Sequence, residues 1–138
     1  MIRSAALLLG AGLVLSVACG VLESRDVAEE AVDRFHQLFN EGSYSVIYFE
    51  ADPLFHRSHT VPSFSALMLA VRRDVGALRQ SRRTSFRSDT GADGTVATLT
   101  YESDFADGQA REEFQYAVRA GEAYLVSYAI SSPLLRIR

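Results

Sequence analysis

Apolar residues recur at Ala28, Ala31, Val32, Phe35, Leu38 and Phe39, the three-and-four spacing that turns one face of a helix inward. Asp26-Val27-Ala28-Glu29 has capping-box character, and Asp26, Glu29 and Glu30 suit the positive end of a helix. Gly42 is a natural stop, so a helix is expected over 25–40. The next stretch mixes two signals. Tyr44, Val46, Ile47, Tyr48 and Phe49 favour a strand, yet Tyr44, Ile47, Tyr48 and Ala51 also keep helical spacing. With Ser43 as N-cap and Pro53 as stop, a short helix is the better reading. Residues 53–62 read as a loop. Ser63 then caps another helix, with Phe64, Leu67, Met68, Val71, Val75 and Leu78 along its buried face.

From residue 83 the period changes from 3.6 to 2. Thr84, Phe86 and Ser88 alternate, and Gly91-Ala92-Asp93-Gly94 supplies a hairpin turn. Ala97, Leu99, Tyr101 and Phe105 share one face of a second strand, opposite Thr98, Thr100, Glu102 and Asp104. After Asp107-Gly108, Glu112, Phe114, Tyr116 and Val118 lie opposite Arg111, Glu113, Gln115 and Arg119. Beyond Gly121-Glu122, Tyr124, Val126, Tyr128 and Ile130 are expected on one face of a last strand that Pro133 ends. A four-stranded antiparallel meander with one apolar face needs helices to cover it, so the fold class is α+β with N-terminal helices packed on the sheet.

The first 19 residues obey a different pattern. Arg3 precedes an apolar run from Ala5 to Val17, too short for the roughly 20 residues that span a hydrocarbon core in a helix. A basic start, a short apolar run and small residues after it read as an export signal. Residues 1–18 are therefore a signal peptide, 19–25 a tether and 26–132 the folded domain. Cys19 is the only cysteine, so an exported product carries a thiol with no intrachain partner. The net charge of −3 gives no global attraction to nucleic acid, and all 14 basic residues are arginine.

Leu15-Ser16-Val17-Ala18-Cys19 resembles a bacterial lipobox, the recognition site of the lipoprotein signal peptidase. Ser16 stands where that motif usually has Leu, and Ser16-Val17-Ala18 also fits an ordinary signal peptidase. Both readings cut before Cys19. The resemblance implies lipid on Cys19 and firm anchoring to a bacterial envelope. In a cell with two membranes, Gly20 in place of the Asp that retains lipoproteins at the inner membrane implies the periplasmic face of the outer one.

Helices followed by an antiparallel meander is also the order of the cystatin-like, nuclear-transport-factor-2-like roll. Val75-Gly76-Ala77-Leu78-Arg79 with Arg82-Arg83, and the closing Tyr124-Leu125-Val126-Ser127-Tyr128-Ala129-Ile130, resemble a small exported bacterial domain family of unknown function over roughly residues 27–131. Tyr124 stands where that family commonly has Trp. The resemblance implies no catalytic residues.

Fold relatives of the roll include isomerases, cyclases and dehydratases with an acid or base deep between sheet and helices. Such chemistry needs an ionisable group in an apolar pocket. Tyr101, Tyr116 and Tyr128, with His36 and Glu112, form the candidate pocket, but Glu112 is the only carboxylate expected on the apolar face and sits near a strand end. Alternating tyrosines are more often core aromatics. A membrane-anchored interaction or small-ligand module is thus favoured over an enzyme. A pocket around a pKa-shifted His36 or Glu112 would favour the enzyme, and a cone filled by its own side chains the module. His56-x-x-His59 with Asp52 supplies too few converging ligands to predict a metal site, and no cofactor motif is present. Arg72, Arg73, Arg79, Arg82, Arg83 and Arg87 fall within sixteen residues holding one acid, Asp74. They are either a patch for an anionic partner or a solvated edge that discourages aggregation.

Overall fold

The computed structural model describes the backbone of residues 12–136 and side chains from Gly20 to Arg136. Residues 1–11, which begin the segment expected to be an export signal, and the side chain of Cys19 lie outside the described residues. Four helices, α1 (Gly12–Glu41), α2 (Tyr44–Glu50), α3 (Pro53–Ser58) and α4 (Val61–Val75), precede four strands, β1 (Leu78–Gly91), β2 (Gly94–Phe105), β3 (Gly108–Arg119) and β4 (Glu122–Ser131). The strands pair antiparallel in the order β1-β2-β3-β4, and the helices pack on the sheet's inner face. The chain is therefore α+β, with its helices N-terminal to a meander.

α1 begins well before residue 25, so the segment expected as a tether is helical from Gly20 onward. A single glycine costs a helix only about 1 kcal/mol. Ser24, Ala28 and Val32, four apart, all turn inward and extend the buried stripe that the sequence starts at Ala28. Among the described residues, no helix is long and apolar enough to cross a membrane.

Two helix boundaries differ from expectation for local reasons. The expected loop at 53–62 contains α3, because the Asp52 carboxylate accepts from the Leu54 amide and Pro53 occupies the first turn. α4 is capped by Thr60 rather than Ser63. Ser63 instead closes a reciprocal capping box with Thr60. The helix stops at Val75 because Gly76 adopts φ +81°, where a Cβ would lie 2.8 Å from the Ala106 side chain.

β1 therefore starts at Leu78, not residue 83, and shifts register near Arg79 and again near Thr84. β2 and β3 pair without interruption, so Leu99, Tyr101, Phe114 and Tyr116 share the inner face as their alternation requires. β4 does not keep a single alternation. Gln115 pairs with Ser127 but Tyr116 with Leu125, leaving Val126 as an extra residue. Leu125 turns into the core and Tyr124 pairs with Ala117 away from it, which overturns the expectation for Tyr124 and Val126; Tyr128 stays inward. The folded unit also runs past residue 132, since Leu134 and Leu135 pack on the core and the Arg136 amide donates to Asp74.

Candidate functional site

Glu112 is the chemical centre of the inner face. It pairs with Tyr101 across β2–β3 and with Ile130 across β3–β4, and only 1% of it is exposed. A carboxylate so placed must be met by donors or lose its charge. Three meet it. His36 Nε2 lies 2.8 Å from Oε1, Ser103 Oγ donates to the same oxygen at 2.6 Å, and the Tyr128 hydroxyl donates to Oε2 at 2.6 Å. Burial pushes the Glu112 carboxyl up, but His36, Ser103 and Tyr128 together outweigh it and hold the group below the usual glutamate range. Glu112 is thus ionised at neutral pH and is not a proton donor there.

His36 reaches this position from α1, where Phe35 and Phe39 set the buried stripe and the imidazole lies on its edge toward β2 and β3. Only 5% of it is exposed, and its ring stands edge-on to Tyr101 and Phe114. The sequence places His36 at the core edge or pocket mouth, whereas the side chain is buried and bonded to a strand 76 positions away. Burial first, and Glu112 with it, raises the Tyr128 phenol well above its ordinary value. Tyr101 is raised as well, by burial and then the charge of Glu29. Both remain protonated. The Tyr128 ring, bonded to Glu112 through its hydroxyl, packs with those of Phe35 and Phe114, with centroids 4.6 to 5.1 Å apart.

Tyr116, two residues beyond Phe114, is a different case. It is buried, burial pushes its phenol well above the ordinary value, and its hydroxyl has no hydrogen-bond partner. It contributes to the wall of a cleft between α1, α2 and the β3–β4 hairpin that Glu112 does not line. The structure therefore brings His36, Glu112 and Tyr128 together, sets Tyr101 beside them, and leaves Tyr116 on its own.

Sequence reasoning missed Ser103, and it weighed Asp52 only as a companion of His56 and His59. Ser103 falls on the Ala97–Phe105 alternation, which was the available signal for its inward position. Asp52 is buried, caps α3 and accepts from Arg119 Nη1 at 2.6 Å. Burial raises its carboxyl, but the Leu54 amide and Arg119 outweigh that and hold it low. The Asp52-Pro53 pair is the sequence signal for this cap.

Four of the six arginines have partners within the chain. Arg72 donates to the Asn40 carbonyl at the end of α1 and lies over the Phe39 ring. Arg73 pairs with Asp74, Arg83 with Glu29 and Arg87 with Asp89. Arg79 and Arg82 are exposed on β1, with Arg82 in register opposite Glu102. The histidines of α3 also point to different neighbours. His56 stacks on Tyr48 and bonds its carbonyl at 2.6 Å, while the His59 ring lies 4.5 Å from that of Phe55. No group of three metal-ligating side chains gathers among the described residues.

No protein-family model matches the chain, and neither does any curated protein sequence.

Proposed function

We propose that this chain is a bacterial envelope lipoprotein, cut before Cys19 and held by lipid on that residue, whose α+β roll is a non-catalytic binding module. The observation that carries the second half is the enclosure of Glu112. Its two oxygens accept from three donors of the protein itself and only 1% of the residue is exposed, so a substrate has no open approach to it. A general acid or base needs a reacting atom within hydrogen-bond reach. The lone cysteine and the lipobox-like run before it support the first half. The orientation follows from α1, which is helical from Cys19 into the roll and leaves no flexible tether. From Gly20 to Asn40 the helix rises about 30 Å. Arg72, bonded at Asn40, thus stands at the far end of α1 from the lipid. A headgroup role for the whole arginine cluster is correspondingly disfavoured, and the outer membrane of a two-membraned cell remains the favoured address.

The alternative is an enzyme related by fold, and the buried His36–Glu112 pair is the observation in its favour. The anchor is tested on its own. Full-length protein expressed in a bacterium should take up labelled fatty acid and partition into detergent, and Cys19→Ala should abolish both. Labelling that survives the substitution contradicts the anchor.

A further inference from the structure

The two ends of α1 are fixed to opposite ends of β1. At one end the Asn40 side chain donates to the Leu78 carbonyl and accepts from the Leu78 amide, both at 2.9 Å. Part-way along, Arg83 of β1 donates to Glu29 at 2.5 Å. At the other end, Gly20, Val21 and Ser24 line one pocket with Thr90 and Thr95 of the β1–β2 hairpin and Gly121 of the β3–β4 turn. A Cβ on Gly121 would lie 3.9 Å from Glu23 Oε1. The tips of two hairpins therefore stand beside the first residues after Cys19. The β2–β3 turn is at the opposite end, where the Ala106 and Asp107 amides donate to the Ala77 and Val75 carbonyls.

The end beside Cys19 has the composition of a surface that meets lipid. Val21 is 43% and Leu22 50% exposed, directly after Gly20. The turns next to them, Gly91-Ala92-Asp93-Gly94 and Ala120-Gly121, are short and built mostly of small residues. Charge there does not select an anionic surface. Arg25 and Arg87 are paired with Asp26 and Asp89, and Glu23 and Asp93 are acids. Chain length adds a limit. Ser24 is already buried in the roll, and the five residues from Cys19 to it would span only about 17 Å if fully extended. Lipid on Cys19 thus keeps the hairpin tips close to the bilayer, whereas Asn40 lies a further 30 Å or so along the helix.

We propose that this end of the roll is a membrane-contact surface for zwitterionic phospholipid. Val21 and Leu22 enter the interface, the β1–β2 and β3–β4 turns rest on the headgroups, and α1 holds the β2–β3 turn away from the bilayer. Apolar side chains next to a lipidated residue add to the hold of the acyl chains. The assignment rests on lipid at Cys19 and turns that anchor into a fixed orientation.

The chain has no tryptophan, so single replacements report position without background. The test uses the full-length chain processed in a bacterium, purified and placed in phosphatidylcholine nanodiscs whose acyl chains carry bromine close to the headgroups. Leu22→Trp, Ala92→Trp and Gln109→Trp put an indole at the anchor, at the β1–β2 tip and at the far turn, all at exposed positions. Emission at 22 and 92 should be quenched by the brominated lipid, and emission at 109 should not. Quenching at 22 alone, or equal quenching at 92 and 109, describes a roll that swings on its anchor and overturns the proposal. Adding Val21→Ser and Leu22→Ser to Ala92→Trp should reduce the quenching at 92, and an unchanged value overturns the role given to those side chains. Fatty-acid labelling of the same preparations separates the two levels. A labelled chain without quenching at 92 loses the contact surface and keeps the anchor, whereas an unlabelled chain loses both.

Discussion

Glu112 and Tyr116 lie four positions apart on the same inner face of β3, and the fold treats them in opposite ways. Glu112 carries a charge in the driest part of the molecule and has three donors arranged around it from α1, β2 and β4. Tyr116 carries only a hydroxyl, which costs far less to desolvate, and has no partner. Position in the sheet explains the difference. At Glu112 the neighbouring strands pair in register with it, so Ser103 and Tyr128 both reach inward beside it. At Tyr116 the register of β4 slips by one residue, so Leu125 stands opposite it where a regular strand would place Val126, and neither side chain can pair with the hydroxyl. One end of β3 is tied by polar contacts, and the other is buried among apolar side chains. Burial of a polar group is therefore no guide to function here until its partners are counted.

The comparison breaks most readily at Glu112. Glu112→Leu should destabilise the protein by about 3–5 kcal/mol, because it leaves His36, Ser103 and Tyr128 buried with nothing to donate to. Urea unfolding followed by circular dichroism measures this. A loss below about 1 kcal/mol would mean that water already satisfies those donors and that this end of β3 is not tied by them.

Tyr116→Phe sharpens the contrast from the other side and has the smaller effect. Removing an unpaired hydroxyl should leave stability unchanged or raise it by up to about 1 kcal/mol, since no hydrogen bond is lost and a buried polar atom is removed. A destabilisation of 1 kcal/mol or more in the same unfolding experiment would show that the phenol has a partner within the protein.

Much of this arrangement was legible in the sequence, and the exceptions are instructive. The alternation of β2 and β3 places Leu99, Tyr101, Glu112, Phe114 and Tyr116 on the correct face because those strands pair without a slip. The same reasoning fails at Tyr124 and Val126, since a one-residue bulge reverses every side chain beyond it and leaves no compositional mark. β1 is longer than its alternation suggests, because its register shifts near Arg79 and Thr84 interrupt the period. His36 and Glu112 were each recognisable as inward-facing polar residues. Their pairing was not, because a contact across 76 residues depends on how α1 crosses the sheet, and no local pattern encodes that crossing. The run of arginines likewise gave no sign of the partners that four of them have within the chain. A helix end and a strand diverge at Gly76, and acids from Glu29 and Asp89 reach Arg83 and Arg87.

The central claim is that Glu112 is an enclosed structural carboxylate and not a poised catalytic acid. Its folded-state pKa is depressed, so its contribution to stability is fully present above the ordinary glutamate value of about 4.3 and is lost as pH falls through the lower native value. The direct measurement is the carboxyl carbon resonance of Glu112 in the isotopically labelled full chain, followed as pH is lowered. The shift should stay at its ionised value through pH 4.3 and move only below it, as the protein loses stability. A midpoint above 4.3, and most of all one near neutrality, would contradict the account and put Glu112 and His36 back among candidates for proton transfer.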